Sequence, residues 1–329
     1  EEVSQFAEAS NKLLELSRKE LQLHLASKVP NLTLAAQNGS EAAILNRAIR
    51  SKGRGVSIRS LFSSIPTLIK GLAPCMLMSP LSVAQYLDFT NEPFDLVVFD
   101  EASQLQTCKA VGALARAKNA IVVGDPNQMP PTAFFSSQMN DDELSDIADM
   151  ESILDDCLAI GMPETYLQWH YRSQHESLIS FSNAQFYQSK MCTFPSVDDS
   201  ASRVQLVHVA GYYEGGGQNS FEGKAIVEEI KRRYKESNGS AQSLGVITFN
   251  VKQQSLIEDL LDKEYMADPA LESWALSSSE PLFVKNLENV QGDERDTILF
   301  SITYAPDENG KMAMRFGPVN SEGGWRRLN

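Results

Sequence analysis

Phe94-Asp95-Leu96-Val97-Val98-Phe99-Asp100-Glu101-Ala102-Ser103-Gln104 holds five apolar residues in its first six and then two adjacent carboxylates. That pattern predicts a strand buried on both faces, as in parallel sheets covered by helices, with a charged C-terminal tip. In open α/β sheets, ligands bind in the crevice beyond the carboxyl ends of the strands. An Asp-Glu pair there suits nucleotide chemistry: Asp100 can hold Mg2+, usually through water, and Glu101 can polarise a water for attack on a γ-phosphate. Taken alone, the same residues also fit a buried strand that runs into a solvated acidic turn.

Downstream, Ala120-Ile121-Val122-Val123-Gly124-Asp125-Pro126-Asn127-Gln128-Met129-Pro130-Pro131-Thr132 is a second short apolar strand that breaks into a Gly/Pro/Asn turn. Two such tips, a short helix apart, are expected side by side on one edge of a sheet. Asp-Glu-Ala-Ser-Gln at 100–104, followed by Gly-Asp-Pro-Asn-Gln-Met-Pro-Pro at 124–131, resembles motifs II and III of superfamily 1 helicases. The resemblance is to the branch that contains the nonsense-mediated-decay helicase and its bacterial relatives. The paired motifs are specific where a lone Asp-Glu is not.

With 329 residues the chain is long enough for two domains, and its 42% apolar content is that of an ordinary globular protein. No run approaches a membrane span and the opening Glu-Glu-Val is no signal peptide, so a cytoplasmic, intracellular protein without a membrane partner is expected. Cys75, Cys108, Cys157 and Cys192 have neither metal-ligand spacing nor disulfide-scaffold density, which predicts reduced thiols. A formal charge of -14 argues against a protein that coats nucleic acid by bulk electrostatics. A local track of donors and stacking groups remains open to it.

Residues 1–72 read as a helical segment, with Phe6, Leu13, Leu14, Leu16, Leu21, Leu23 and Leu25 forming an apolar stripe that predicts packing. Asn38-Gly39-Ser40 interrupts it, and Ser40 is placed to cap the helix beginning at Glu41. Lys52-Gly53-Arg54-Gly55 is a basic turn that reads either as a solvated loop or as a phosphate-backbone contact. Pro74 to Ser79 predicts a short strand, and Pro80 the start of a helix over 81–86. The resemblance sets this strand in a first motor domain over 73–147 and implies that Ser79, at its tip, lies near a nucleic-acid path. A plain Ser-Pro helix start is the alternative.

After an acidic linker beginning at Asn140-Asp141-Asp142-Glu143 and a helix over 150–158, Leu167-Gln168-Trp169-His170-Tyr171-Arg172-Ser173 with Phe181 to Tyr187 resembles motif IV of the same branch. Arg172 suits a γ-phosphate through its planar, permanently charged fork. His170 and His175 lack a third metal ligand, and His175 is expected to cap or pack. Strands over 204–209, 244–249, 281–285 and 297–303, with helices at about 222–236 and 251–265, give the βαβ rhythm of a second parallel sheet within 148–329. Between them, Glu214-Gly215-Gly216-Gly217 to Gly223-Lys224-Ala225 imitates a phosphate loop. It has Gln218 where the first Gly should stand and Ala225 where the hydroxyl should, so it reads as a turn and helix start, with Asn219 as N-cap and Glu222 at N3.

Val284 to Asp296, with Gln291-Gly292-Asp293-Glu294 at its centre, resembles motif V. Gly292 permits close backbone approach, Gln291 donates and accepts, and Glu294 can bond a ribose hydroxyl or hold a cation. Gly317 to Asn329 resembles the approach to motif VI without its distal arginine, and no Gly-x-x-x-x-Gly-Lys-Ser/Thr occurs in the chain. The resemblance covers residues 74 onward. It implies an α/β fold of two tandem RecA-like domains of P-loop NTPase type, the first incomplete, with ATP and Mg2+ in the cleft between them. Single-stranded or partly duplex nucleic acid would be ratcheted across both, DNA being favoured over RNA although the sequence does not decide between them. It implies further that Asp100 holds Mg2+, Glu101 activates water, Gln128 senses the γ-phosphate, and Arg172 and Glu294 contact nucleotide. Ser79, Gln291 and Gly292 are the implied nucleic-acid contacts. The expectation is a helicase or translocase whose residues in this chain, lacking both ends of the ATPase site, hydrolyse no ATP by themselves. A non-hydrolysing scaffold or binding module on the same fold, in a repair or defence assembly, is the rival.

Overall fold

The computed structural model describes residues 2–29, 39–131, 152–198, 202–236, 243–276, 280–320 and 323–328. They form two compact units: one holds the described residues up to Asp125 together with 152–161, the other 126–131 and those from Met162 onward. The boundary expected at residue 147 and the acidic linker lie outside the described residues.

In the first unit, α1 (Glu2–Lys28) is followed by α2 (Glu41–Arg50), α3 (Ile58–Ser64), α4 (Pro66–Leu72) and α5 (Pro80–Tyr86). Ser40 caps α2 as expected, its Oγ accepting from Ala43 N at 3.2 Å. Glu41 reaches across to the start of α4, where its carboxylate accepts from Leu68 N at 2.6 Å. Ala42, Ile65 and Leu68 are the buried centre of this cluster. The stripe on α1 does not pack: Phe6 is 74% exposed and no residue of the helix is buried. Leu14 points away from the face that Leu13 and Leu16 share, so the leucines do not form a single stripe. The stretch 74–79 forms no strand either, and Leu77 stands in solvent.

Strand β1 (Phe94–Phe99) pairs in parallel with β2 (Ala117–Val122), Phe99 opposite Val122, with α6 (Thr107–Leu114) between them in sequence. Helix α7 (Ile153–Ala159) starts at a capping box of Ser152 and Asp155, and Ile153 N donates to Leu105 O at 2.8 Å. Phe99, Ala102, Ala110, Ala113, Ile153 and Leu154 are the resulting core. Among the described residues, one face of the ladder is covered. Val97 and Phe99 meet α6 and α7, while Leu96 and Val98 on the opposite face are 45% and 55% exposed. The expectation of a strand buried on both faces is therefore not met, because both helices pack on the same side. On α7, Cys157 is partly buried, whereas Cys75, Cys108 and Cys192 are exposed thiols.

In the second unit, β3 (Trp169–His170) and β4 (Cys192–Thr193) make a short parallel pair on either side of α8 (Ser180–Phe186) in sequence. The larger sheet follows α9 (Ser220–Glu236): β5 (Leu244–Thr248), α10 (Val251–Ala267), α11 (Pro269–Leu276), β6 (Phe283–Asn286) and β7 (Thr297–Ser301). All three strands are parallel in the order β6-β5-β7, so β5 is central and its apolar run is buried. Ile226, Val227 and Ile230 of α9 and Ile257 and Leu261 of α10 pack with Leu244 and Val246. The fold is thus α/β with parallel sheets. Of the expected strands, 244–249 and 281–285 stand as Leu244–Thr248 and Phe283–Asn286, and the other two differ further. Residues 204–209 form none, Leu206 being 87% and Val207 76% exposed without a ladder partner among the described residues. Strand β7 stops at Ser301, short of 303, because Thr303 turns into the left-handed region at φ 71.

Candidate functional site

Strand β1 delivers Asp100 and Glu101, both exposed, to the C-terminal edge of its ladder. Glu101 adopts φ 51, ψ 42, a left-handed conformation that costs a non-glycine residue about 1–2 kcal/mol. The turn is held from both sides. Ala102 N donates to Val123 O at 2.9 Å and Val123 N to Phe99 O at 2.8 Å. Asp100 Oδ1 accepts from Glu101 N at 3.1 Å, and Gln104 Nε2 donates to Glu101 Oε2 at 3.3 Å. Gly124 allows this approach, since a Cβ there would lie 2.9 Å from Ser103 N and 3.2 Å from Ala102 N. The two strand tips expected side by side are so.

Asp100 and Glu101 offer hard carboxylate oxygens, and no group of three or more His, Cys, Asp or Glu among the described residues converges as a metal cage. That donor chemistry fits Mg2+, which is commonly bound by one or two carboxylates and completes its shell with water and phosphate. Ser79, in the same unit, caps α5: its Oγ accepts from Ser82 N at 3.2 Å. This is the Ser-Pro helix start.

The second unit brings the other sequence candidates into two contacts. Gln291 Nε2 donates to Gln128 Oε1 at 3.1 Å, and Arg172 Nε lies 3.8 Å from Glu294 Oε2 with the side chains 73% and 71% exposed. So exposed a pair contributes at most about 1 kcal/mol to stability, which leaves both groups available to a ligand. Gly292, at φ 88, has open space where a side chain would stand. His170 Nε2 accepts from Ser173 N at 3.1 Å, and burial, then the nearby Arg172 charge, lowers its pKa, so it is a neutral local brace. His175 caps the turn Glu176–Leu178, Nδ1 accepting from Ser177 N at 3.1 Å.

Sequence reasoning missed two ion pairs around motif V. Lys285 Nζ sits 2.6 Å from Asp293 Oδ2. Arg327 Nε lies 3.5 Å from Glu288 Oε1 with the two side chains only 11% and 8% exposed, too poorly aligned for a hydrogen bond from that nitrogen. Burial raises the pKa of Glu288 more than Arg327 lowers it. No local pattern announces this pair; its members are charged residues that singly read as solvated. The imitation phosphate loop is closed to phosphate by the chain itself. Glu214 Oε2 accepts from Ser220 N at 2.9 Å and Asn219 Oδ1 from Glu222 N at 3.1 Å, so the N-terminus of α9 already holds its anion and its cap.

Comparison with known proteins adds to this geometry. Residues 150–329, more than half of the chain, match an AAA domain family, and residues 76–136 match another AAA domain family. An uncharacterized ATP-dependent helicase of Mycoplasma genitalium is 34% identical over 278 residues, 80% of this chain and 24% of that protein. Probable helicase senataxin of Homo sapiens is 24% identical over 240 residues, 67% of this chain and 8% of its own. The 5'-3' DNA helicase ZGRF1 of Mus musculus is 23% identical over 219 residues, 63% of this chain and 11% of its own. The chain spans about a quarter of the length of the mycoplasma relative.

Proposed function

We propose, from the fact that this chain belongs to the AAA-domain superfamily 1 helicases, in the branch that contains the nonsense-mediated-decay helicase, that the protein is an ATP-driven helicase or translocase. The observation that carries the reading is the junction of the β1 and β2 tips, where Gly124 lets the motif III turn press on motif II and hold Glu101 left-handed beside Asp100. Asp100 would hold Mg2+, whose charge offsets that of the phosphates, and Glu101 is the base that takes a proton from the attacking water. Gln128, braced by Gln291, senses the γ-phosphate, and Arg172 beside Glu294 brings a fixed positive charge to the nucleotide. Ser79, Gln291 and Gly292 contact the strand, and the two compact units are the counterparts of tandem RecA-like domains. DNA is favoured over RNA by the relative named as a DNA helicase. With no Gly-x-x-x-x-Gly-Lys-Ser/Thr in its 329 residues, the chain lacks the sequence that supplies a nest of N–H groups and a lysine to the phosphates, and by itself it hydrolyses no ATP. Steady-state ATP hydrolysis by the full-length protein, with and without single-stranded DNA, tests the reading. Strand-stimulated turnover is the expected result; strand binding with no turnover favours the scaffold.

A further inference from the structure

The end of β7 is strained. Thr303 is 1% exposed at φ 71, its Oγ1 has no hydrogen-bond partner among the described residues, and β-branched residues adopt such a φ only when the surroundings force it. The forcing groups come from two helix starts. Glu222 on α9 accepts from Ile302 N at 2.8 Å and from Thr303 N at 2.7 Å. Asn219 Nδ2 donates to Thr303 O at 3.1 Å. Gln253 on α10, wholly buried, accepts from Asn219 N at 2.8 Å and donates to Asn219 O and to Ser301 Oγ, both at 3.2 Å. The capping box read at Asn219 and Glu222 is therefore only half made, since the Glu222 carboxylate turns away to the strand and Gln253 takes its place at Asn219 N.

This network sets where the chain goes next. Leaving the turn, Tyr304 packs its ring 5.6 Å from Tyr213 and 5.4 Å from Phe316. Beyond Phe316 the chain reaches the short 3-10 turn Gly324–Arg327, whose Arg327 pairs with Glu288 of motif V.

We propose that Glu222, braced by Asn219 and Gln253, is a positioning residue for ATP hydrolysis: by holding Ile302-Thr303 in the strained turn it fixes the path from the motif V strand to the approach of motif VI. The inference rests on the helicase reading above. It is tested in the full-length protein by steady-state ATP hydrolysis with oligo(dT) and by thermal unfolding. Glu222→Ala lets Thr303 relax to negative φ, and kcat is expected to fall about tenfold with KM for ATP within about twofold, since small displacements of supporting structure cost up to about 10²-fold. Thr303→Gly takes positive φ without strain; alone it leaves kcat near wild type, and combined with Glu222→Ala it restores kcat to within about threefold although the melting temperature stays low. A merely structural Glu222 predicts the opposite, a melting loss with no rescue of kcat by glycine. Either that result or wild-type kcat in Glu222→Ala overturns the proposal. If Glu222→Ala does not fold, Glu222→Gln, which keeps one acceptor, takes its place in the same comparison. Wild-type protein with no ATP turnover at all sinks the helicase reading and this inference with it.

Discussion

Gly124→Ala tests the contact on which the candidate catalytic turn depends. The new methyl would stand 2.9 Å from Ser103 N, 3.0 Å from Leu154 Cδ2 and 3.2 Å from Ala102 N, well inside the roughly 3.5–4.0 Å of ordinary contacts. Neither side yields readily: Ala102 N is bonded to Val123 O at 2.9 Å and Leu154 is buried in the first unit's core. Overpacking of this kind costs about 1–3 kcal/mol. Alanine recovers about 0.4–1 kcal/mol by restricting the unfolded chain, and Gly124 is not among the glycines at positive φ, so no backbone strain is added. The net is a destabilisation of about 1–2 kcal/mol, a few degrees in melting temperature at about 2–4 °C per kcal/mol. Guanidinium titration with the m-value held in view separates this from a change in the denatured state. In the full-length protein the same substitution is expected to slow ATP turnover, because the left-handed Glu101 rides on the displaced backbone. An alanine variant as stable as wild type would falsify the close approach of the two turns and with it the account of Glu101.

Glu101→Gln in the full-length protein should keep Mg-ATP binding while lowering kcat by about 10²–10⁴-fold, as loss of a positioned base does; near-normal turnover removes Glu101 from the mechanism. Arg172→Ala should slow hydrolysis without a measurable change in melting, since its pair with Glu294 is largely exposed; a melting change with intact turnover makes the segment structural. Burial, outweighing Arg327, lifts Glu288 above the ordinary carboxylate value, so its protonated form favours the folded state. That contribution is complete below the unfolded pKa and is lost as pH rises through the raised one. Wild type should therefore lose stability relative to the non-titrating Glu288→Gln as pH rises across that window in urea titrations, and a relative gain of wild type would show that attraction to Arg327 dominates instead.

Much of the fold was legible because its signal is local. The apolar runs of β1, β2 and β5 and the caps at Ser40 and Asn219 lie within a few residues of what they determine. What escaped the sequence depends on distant partners. Residues 204–209 alternate as a strand should, but a strand exists only where another lies beside it, and one stretch does not encode its neighbour. Thr303 looks like a strand residue; it is bent by Glu222, 81 positions away. At the candidate site, Asp100 and Glu101 could be read directly because they are adjacent. Nothing local joins Gln128 to Gln291, 163 positions away: the resemblance gives the first to nucleotide and the second to the strand, and their hydrogen bond is seen only in the structure.

The partial burial of Cys157 turns α7 into a clock. Burial, and after it the charge of Asp156, raises its pKa and lowers its thiolate fraction, whereas Cys75, Cys108 and Cys192 are exposed to reagent. A mild alkylating reagent will mark those three first and spare the fourth until α7 lifts from the first unit's core. The delay before the fourth label then measures how often that helix, which carries Ile153 and Leu154 into the first unit's core, lets go.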